Sequence, residues 1–188
     1  MSKVGIFSGT FDPIHIGHIA FALRAIEKAQ LDKVVFLPEH EPRHKRKVTD
    51  FEHRINMLKI TAKSFEFLEV LELPDLYFTV EQTLPELQKH FPNAKISLLL
   101  GSDVAKKIPD WPGVARLVGN VSLIIGLRQN DSQEGLQKLL AGIEPSSNIM
   151  FIKTRYPEIT ATQARKKPAD QLDPSVAAYI RSHKLYAD

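Results

Sequence analysis

The sequence predicts a doubly wound α/β fold, a parallel sheet flanked by helices. Two observations carry the prediction. Short apolar runs alternate with amphipathic segments along the chain, the pattern of successive βα units. Several of those runs are near-continuous in Val, Ile and Leu, as strands covered on both faces must be. No internal repeat, low-complexity tract or linker interrupts the alternation, so one domain over residues 1–188 is expected.

Taken in order, strands are predicted over 4–7, 34–37, 67–72, 96–100, 121–127 and 149–152, and helices over 18–30, 50–63, 83–91, 114–118 and 133–141. The first strand stops at Ser8-Gly9-Thr10, turns through Asp12-Pro13 and restarts at His18 as a helix. That helix carries Ile19, Leu23, Ile26 and Gln30 near one face, with Ala22 and Ala29 beside them. Thr49-x-x-Glu52 reads as a capping box opening the second helix, and Phe51, Ile55, Leu58 and Ala62 form its apolar stripe. A proline deep in a helix costs roughly 3 kcal/mol, so the third helix is expected to start near Thr83, with Pro85 in its first turn. Asp173-Pro174 places a cap and a first-turn proline before Val176, Ala177 and Ile180, which predicts a final helix.

At 188 residues the chain is long enough for a sizeable core. Hydrophobic residues at 43% and charged residues at 25% are globular values. With no cysteine, disulfides, thiolate metal sites and cysteine nucleophiles are excluded. Met1-Ser2-Lys3 leads straight into a strand, leaving no room for a signal peptide, and the aliphatic stretches 96–100 and 121–127 are too short to span a bilayer. A cytoplasmic protein with no membrane partner is the expectation. The net charge of +3 does not by itself indicate nucleic acid. The densest cationic run, Arg43-His44-Lys45-Arg46-Lys47, has no interleaved aromatics and reads as a solvated loop.

Ligands of doubly wound sheets sit beyond the carboxyl ends of the strands, at a topological switch point. Ser8-Gly9 ends the first predicted strand and Gly101-Ser102-Asp103 the fourth, so two strand ends nominate one site. A small-residue turn between strand and helix places backbone N–H groups where a phosphate can sit. Two imidazoles, His15 and His18, stand one helical turn apart and can donate to the same anion. In Ile159-Thr160-Ala161-Thr162-Gln163-Ala164-Arg165, hydroxyls followed by an arginine look like an N-capped helix start aimed at phosphate. Gly101 can admit a base or ribose while Asp103 accepts from a hydroxyl, although a turn glycine and a helix-cap aspartate would read the same way. Trp111, within Pro109-Asp110-Trp111-Pro112, is either a ligand platform or packs on its own prolines.

Gly9-Thr10-Phe11-Asp12-Pro13 followed by His15-Ile16-Gly17-His18 resembles the signature of the HxGH nucleotidylyltransferases, and the whole chain most resembles the bacterial nicotinate-nucleotide adenylyltransferases. The resemblance implies a Rossmann-like fold and an enzyme of NAD biosynthesis. It would condense ATP with nicotinate or nicotinamide mononucleotide and release pyrophosphate, by in-line attack on the α-phosphorus. Catalytic roles are implied for His15, His18 and Arg165, and ATP binding for Ser8, Gly9, Thr10, Phe11 and Gly17. Gly101 and Asp103 would border the adenosine, while Ile159, Thr160 and Thr162 match the family's I-S-x-T-x-x-R motif with threonine for serine. Mg²⁺ would ride on the nucleotide phosphates, with no metal site built by the protein itself.

For the acceptor, Leu37-Pro38 with Pro42-Arg43-His44-Lys45 is similar to the family's P-P-H-K loop and implies that His44 and Lys45 face a phosphate. Arg54 matches the arginine of R-x-x-M-L, on the acceptor or bracing the loop, and Arg128 matches a basic position near the acceptor. Phe78, Thr79 and Trp111 would meet the pyridine ring, although Thr79 and Thr83 are spaced one residue wider than in the family, so their loop is remodelled. A homo-oligomer is compatible with the sequence. Adenylyl transfer to 4'-phosphopantetheine is the nearest alternative, opposed by His15 where those enzymes carry threonine and by the C-terminal part ending in Leu185-Tyr186. Cytidylyl transfer and a non-enzymatic nucleotide-binding protein that kept the fold are the others.

Overall fold

In the computed structural model, which describes residues 1–42, 47–143, 148–156 and 158–187, the first apolar run becomes a central strand. β1 (Lys3–Gly9) pairs in parallel with β2 (Lys33–Pro38) on one side and β4 (Lys95–Gly101) on the other. β3 (Leu68–Val70) adds to β2, and β5 (Ser122–Leu127) and β6 (Ile149–Lys153) extend the sheet beyond β4. The order is β3-β2-β1-β4-β5-β6, all parallel. This is the doubly wound, Rossmann-like architecture, with its order reversing between β1 and β4.

Alternating side chains of the strands feed two cores, one on each face of the sheet. Ile6, Leu37, Leu98 and Ile125 meet Leu84 and Leu87 of α3 (Thr83–His90) and Leu117 of α5 (Val114–Asn120). Phe7, Phe36, Leu99 and Ile124 face the opposite way. They meet Phe21 and Ala22 of α1 (Ile16–Ala29), Met57 and Leu58 of α2 (Phe51–Ala62), and Val176 and Ile180 of α9 (Pro174–Ser182). Each of these side chains other than Ala22 contributes roughly 1.5–3 kcal/mol by burial. At Gly5 a Cβ would lie 2.8 Å from Leu31 and 2.9 Å from Leu99, so the chain leaving α1 packs directly on the β1 backbone.

Several expectations shift. α1 begins at Ile16 rather than His18, with His15 as its N-cap, and Gln30 turns left-handed (φ 53°) to close the helix instead of sharing its apolar face. The Thr49–Glu52 capping box does not form. Asp50 is the N-cap, without a side-chain bond, because the Thr49 carbonyl accepts from Arg54 Nε at 2.8 Å and holds the chain outside the helix. The run 67–72 pairs as a strand over three residues only, at the sheet edge. α4 (Ser102–Ala105), α6 (Gln133–Leu140), α7 (Ala161–Lys166) and α8 (Pro168–Gln171) complete the helices used below, and α4 and α8 are too short to leave a period in the sequence. α3 starts at Thr83 with Pro85 in its first turn, as expected. Among the described residues no helix is long and apolar enough to cross a membrane.

Candidate active site

Beyond the carboxyl ends of β1 and β4, at the point where the strand order reverses, lies a cavity of about 970 Å³. The turn after β1 supplies Ser8, Gly9, Thr10 and Phe11 to its wall, and the start of α1 supplies His15, Gly17 and His18. Gly101 and Asp103 come from the end of β4 and α4, and Ile159, Thr160, Thr162 and Arg165 from the entry to α7 and its helix. Phe78, Trp111 and Arg128 complete the predicted residues that line it.

The chain reverses direction at Phe11, whose φ of 49° is left-handed, a conformation that costs a bulky residue roughly 1–3 kcal/mol. The Phe11 ring offsets that cost by packing edge-on to Phe7 at 5.4 Å and to Phe36 at 5.4 Å. The Asp12–Pro13 peptide is cis. This turn sets His15 at the N-cap of α1 and His18 in its first turn, so their rings stack with centroids 3.6 Å apart. His18 Nδ1 accepts from the His15 backbone N–H at 3.3 Å. Its proton therefore sits on Nε2, which makes the neutral His18 ring a hydrogen-bond donor through that atom.

Gly17 is required by this stack. A Cβ there would lie 3.0 Å from His15 Nδ1 and 3.1 Å from its Cε1, and His18 blocks the ring's retreat. Gly17→Ala should lower kcat about tenfold by displacing the His15 ring. The same change adds up to about 1 kcal/mol of helix propensity, so the melting midpoint should not fall. Initial rates beside a thermal melt check this; an unchanged kcat would show that the ring's position is not critical.

Across the cavity, Thr160 caps α7. Its hydroxyl accepts from the Gln163 N–H at 3.2 Å while Gln163 Oε1 accepts from the Thr160 N–H at 2.9 Å, a closed capping box. Arg165 is anchored from three sides. Nη1 donates to the Asp12 carbonyl at 2.6 Å, Nη2 donates to the Thr162 hydroxyl at 3.2 Å, and the guanidinium lies 5.7 Å over the Tyr186 ring. Tyr186 in turn donates its O–H to Asp12 Oδ1 at 2.7 Å. Burial, and then the Asp12 acceptor, raise the Tyr186 phenol well above its ordinary pKa, so this O–H stays a donor through the neutral range.

The acceptor side departs further from expectation. Arg54 does not line the cavity. It is 1% exposed, and its guanidinium donates to four carbonyls, those of Thr49, Thr10, Glu39 and His40, each at 2.8 Å. It braces the loop and cannot also hold an acceptor phosphate. Thr79 also lies off the wall. Its hydroxyl accepts from the Gln82 N–H at 3.1 Å, its N–H donates to Thr83 Oγ1 at 3.0 Å, and the Thr83 hydroxyl donates to Asp75 at 2.8 Å. The widened threonine spacing closes a local turn. Arg128 pairs with Asp103 at 3.3 Å with both side chains about half exposed, an arrangement readily opened by a ligand. Trp111 is half-buried and packs near Phe78, their ring centroids 6.0 Å apart. His44 and Lys45 lie outside the described residues.

The cavity also takes in Asp12, Glu39, Lys107, Thr154 and Tyr156, none of them singled out as site residues in the sequence. Asp12 stood inside the recognised run but read as a turn residue. Thr154 and Tyr156 follow β6, so a strand end at the sheet's far half was the available signal.

A family model described as cytidylyltransferase-like matches residues 6–167. A probable nicotinate-nucleotide adenylyltransferase of Gemmatimonas aurantiaca is 31% identical over 99% of this chain and 93% of its own. The nicotinate-nucleotide adenylyltransferase of Bacillus subtilis is 31% identical over 99% of both chains. This chain belongs to the nicotinate-nucleotide adenylyltransferase family. As a member of that family it is a nucleotidyltransferase, and the cavity at its switch point has the place such an enzyme needs for a nucleotide. In fold it is similar to the nicotinic acid mononucleotide adenylyltransferase of Plasmodium falciparum. The structure of that enzyme complexed with NaAD superposes with a TM-score of 0.82 at 20% identity, covering 99% of this chain and 98% of that one. The same enzyme complexed with APC gives 0.79.

Proposed function

We propose that this protein transfers the adenylyl group of ATP to nicotinate mononucleotide, forming the dinucleotide and pyrophosphate. The observation that carries the reading is the stacked His15–His18 pair and Arg165 on the walls of one cavity, brought together from segments far apart in the chain. The names of the relatives support the acceptor.

In this reading an acceptor phosphate oxygen attacks the ATP α-phosphorus in line. A P–O bond forms as the bond to the β-phosphate bridging oxygen breaks, and pyrophosphate leaves with that electron pair. The attacking phosphate is already anionic, so no general base is needed. The chain's part is to hold two polyanions in register and spread the developing charge. His18, through Nε2–H, and His15 sit at the N-terminus of α1, where the helix dipole favours an anion. Arg165 supplies a planar fork for phosphate oxygens. Ser8, Gly9, Thr10, Phe11 and Gly17 would cradle the phosphates, while Gly101 and Asp103 border the ribose. Trp111 and Phe78 would flank the pyridine ring, with Arg128, His44 and Lys45 toward the acceptor phosphate.

Mg²⁺ would arrive on the nucleotide. Among the described residues no group of three or more His, Cys, Asp or Glu stands close enough to hold a metal, and two of the carboxylates on the wall, Asp12 and Asp103, each face a guanidinium. Residues 1–188 would work as one domain in the cytoplasm.

The deciding experiment measures pyrophosphate release from ATP with nicotinate mononucleotide, nicotinamide mononucleotide and 4'-phosphopantetheine in parallel. The highest kcat/KM is expected with nicotinate mononucleotide. Nicotinamide mononucleotide should give measurable turnover, because the Thr79 and Thr83 hydroxyls are engaged in their own turn and less able to select a ring carboxylate. Release with phosphopantetheine alone would overturn the reading.

A further inference from the structure

We infer that Tyr186 is a positioning residue that sets the aim of Arg165, so the last turn of the chain is part of the active site's frame. The proposal rests on the adenylyl-transfer reading, and it assigns a role to a segment that the reaction itself does not explain.

Asp12 is the intermediary. It is 5% exposed, and its carboxylate lies between three groups: the Tyr186 O–H on Oδ1 at 2.7 Å, the Thr49 N–H on Oδ1 at 3.4 Å, and Arg165 Nη1 at 3.7 Å from Oδ2. A buried carboxylate beside a guanidinium ordinarily closes into a two-pronged ion pair. Here it does not. Arg165 bonds instead to the Asp12 backbone carbonyl at 2.6 Å, and its distance to the carboxylate is longer than a hydrogen bond. The donors on Oδ1 hold the carboxylate turned away, and of the two the phenol bond is much the shorter. The phenol ring meanwhile lies 5.7 Å beneath the guanidinium, fixing its plane.

Tyr186 is built to stay in place. Its φ is 60°, a left-handed turn, and the preceding Leu185 N–H donates to the Ile180 carbonyl, tying the segment to α9. With the hydroxyl gone, the Asp12 carboxylate can rotate and capture Arg165 bidentately, drawing the fork from the nucleotide phosphates.

Tyr186→Phe keeps the ring and removes only that hydroxyl. Expected for adenylyl transfer to nicotinate mononucleotide is a kcat about tenfold lower with the acceptor KM unchanged. General loosening of the fold would raise both KM values instead. In an Arg165→Lys background the same change should have no further effect on kcat, because a lysine has no planar fork to be captured. Assays run well below the lower melting midpoint of the set keep stability out of the comparison. A wild-type kcat in Tyr186→Phe, or an equal fold-loss in both backgrounds, overturns the proposal and leaves the reaction standing. Wild-type protein that releases no pyrophosphate takes down the reading and the proposal together.

Discussion

Replacing His18 with alanine should lower kcat for adenylyl transfer by about two to three orders of magnitude, the scale of losing a single preorganised donor to developing charge. The geometry says why the effect falls on the rate. With Nδ1 accepting from the His15 N–H, His18 has a single N–H, on Nε2, to offer a ligand in the cavity, and alanine removes it completely. The structural loss is smaller. His18 is half-buried, with edge contacts to Phe7 at 5.7 Å and Phe11 at 5.1 Å, together worth about 1–2 kcal/mol. For a chain of this length that moves the melting midpoint by roughly 2–8 °C. His18→Gln carries an amide N–H to nearly the place of Nε2 and should recover part of the rate. Steady-state kinetics beside thermal melts separate the two effects. A variant with near wild-type kcat and KM would remove His18 from the chemistry.

The position of His18 is legible in the sequence, and the reason is local. A strand end, a small-residue turn and a helix start lie within a few residues, and each follows from its own sequence. The pairing of strand ends was legible too, since alternating βα units leave few topologies and the β1/β4 reversal is the commonest. What stayed hidden depends on contacts between distant parts of the chain. Thr49 has the sequence of a helix cap, but Arg54 takes its carbonyl and the helix begins beyond it. Thr79 reads as a ligand contact, yet Asp75 and Thr83 close the turn that uses it. Tyr186 meets Asp12 across 174 positions, and nothing near either residue announces the other.

Arg54 shows the same limit with the largest consequence for stability. Arg54→Met should destabilise the fold by about 3–5 kcal/mol, the scale of leaving several carbonyls without their donor at about 1–3 kcal/mol for each that is buried. Its guanidinium joins the Thr10 carbonyl of the turn after β1 to the Glu39 and His40 carbonyls after β2 and to Thr49 before α2. Methionine fills most of the volume but leaves four acceptors without their donor, one buried and three partly buried, and each carries a desolvation cost in proportion to its burial. Burial lowers the pKa of the arginine from its ordinary value, and Asp12, Tyr186, Glu39 and Asp50 pull it back, so the charge persists and is held by its surroundings. The melting midpoint should fall by roughly 6–20 °C. Arg54→Lys tests the geometry separately, because one ammonium cannot span carbonyls on three segments. It should lose most of the same stability and also raise the acceptor KM, since Glu39, whose carbonyl Arg54 holds, lies on the cavity wall. A lysine variant with an unchanged melting midpoint and a raised acceptor KM would return Arg54 to the role that its sequence motif implies, a direct ligand of the acceptor.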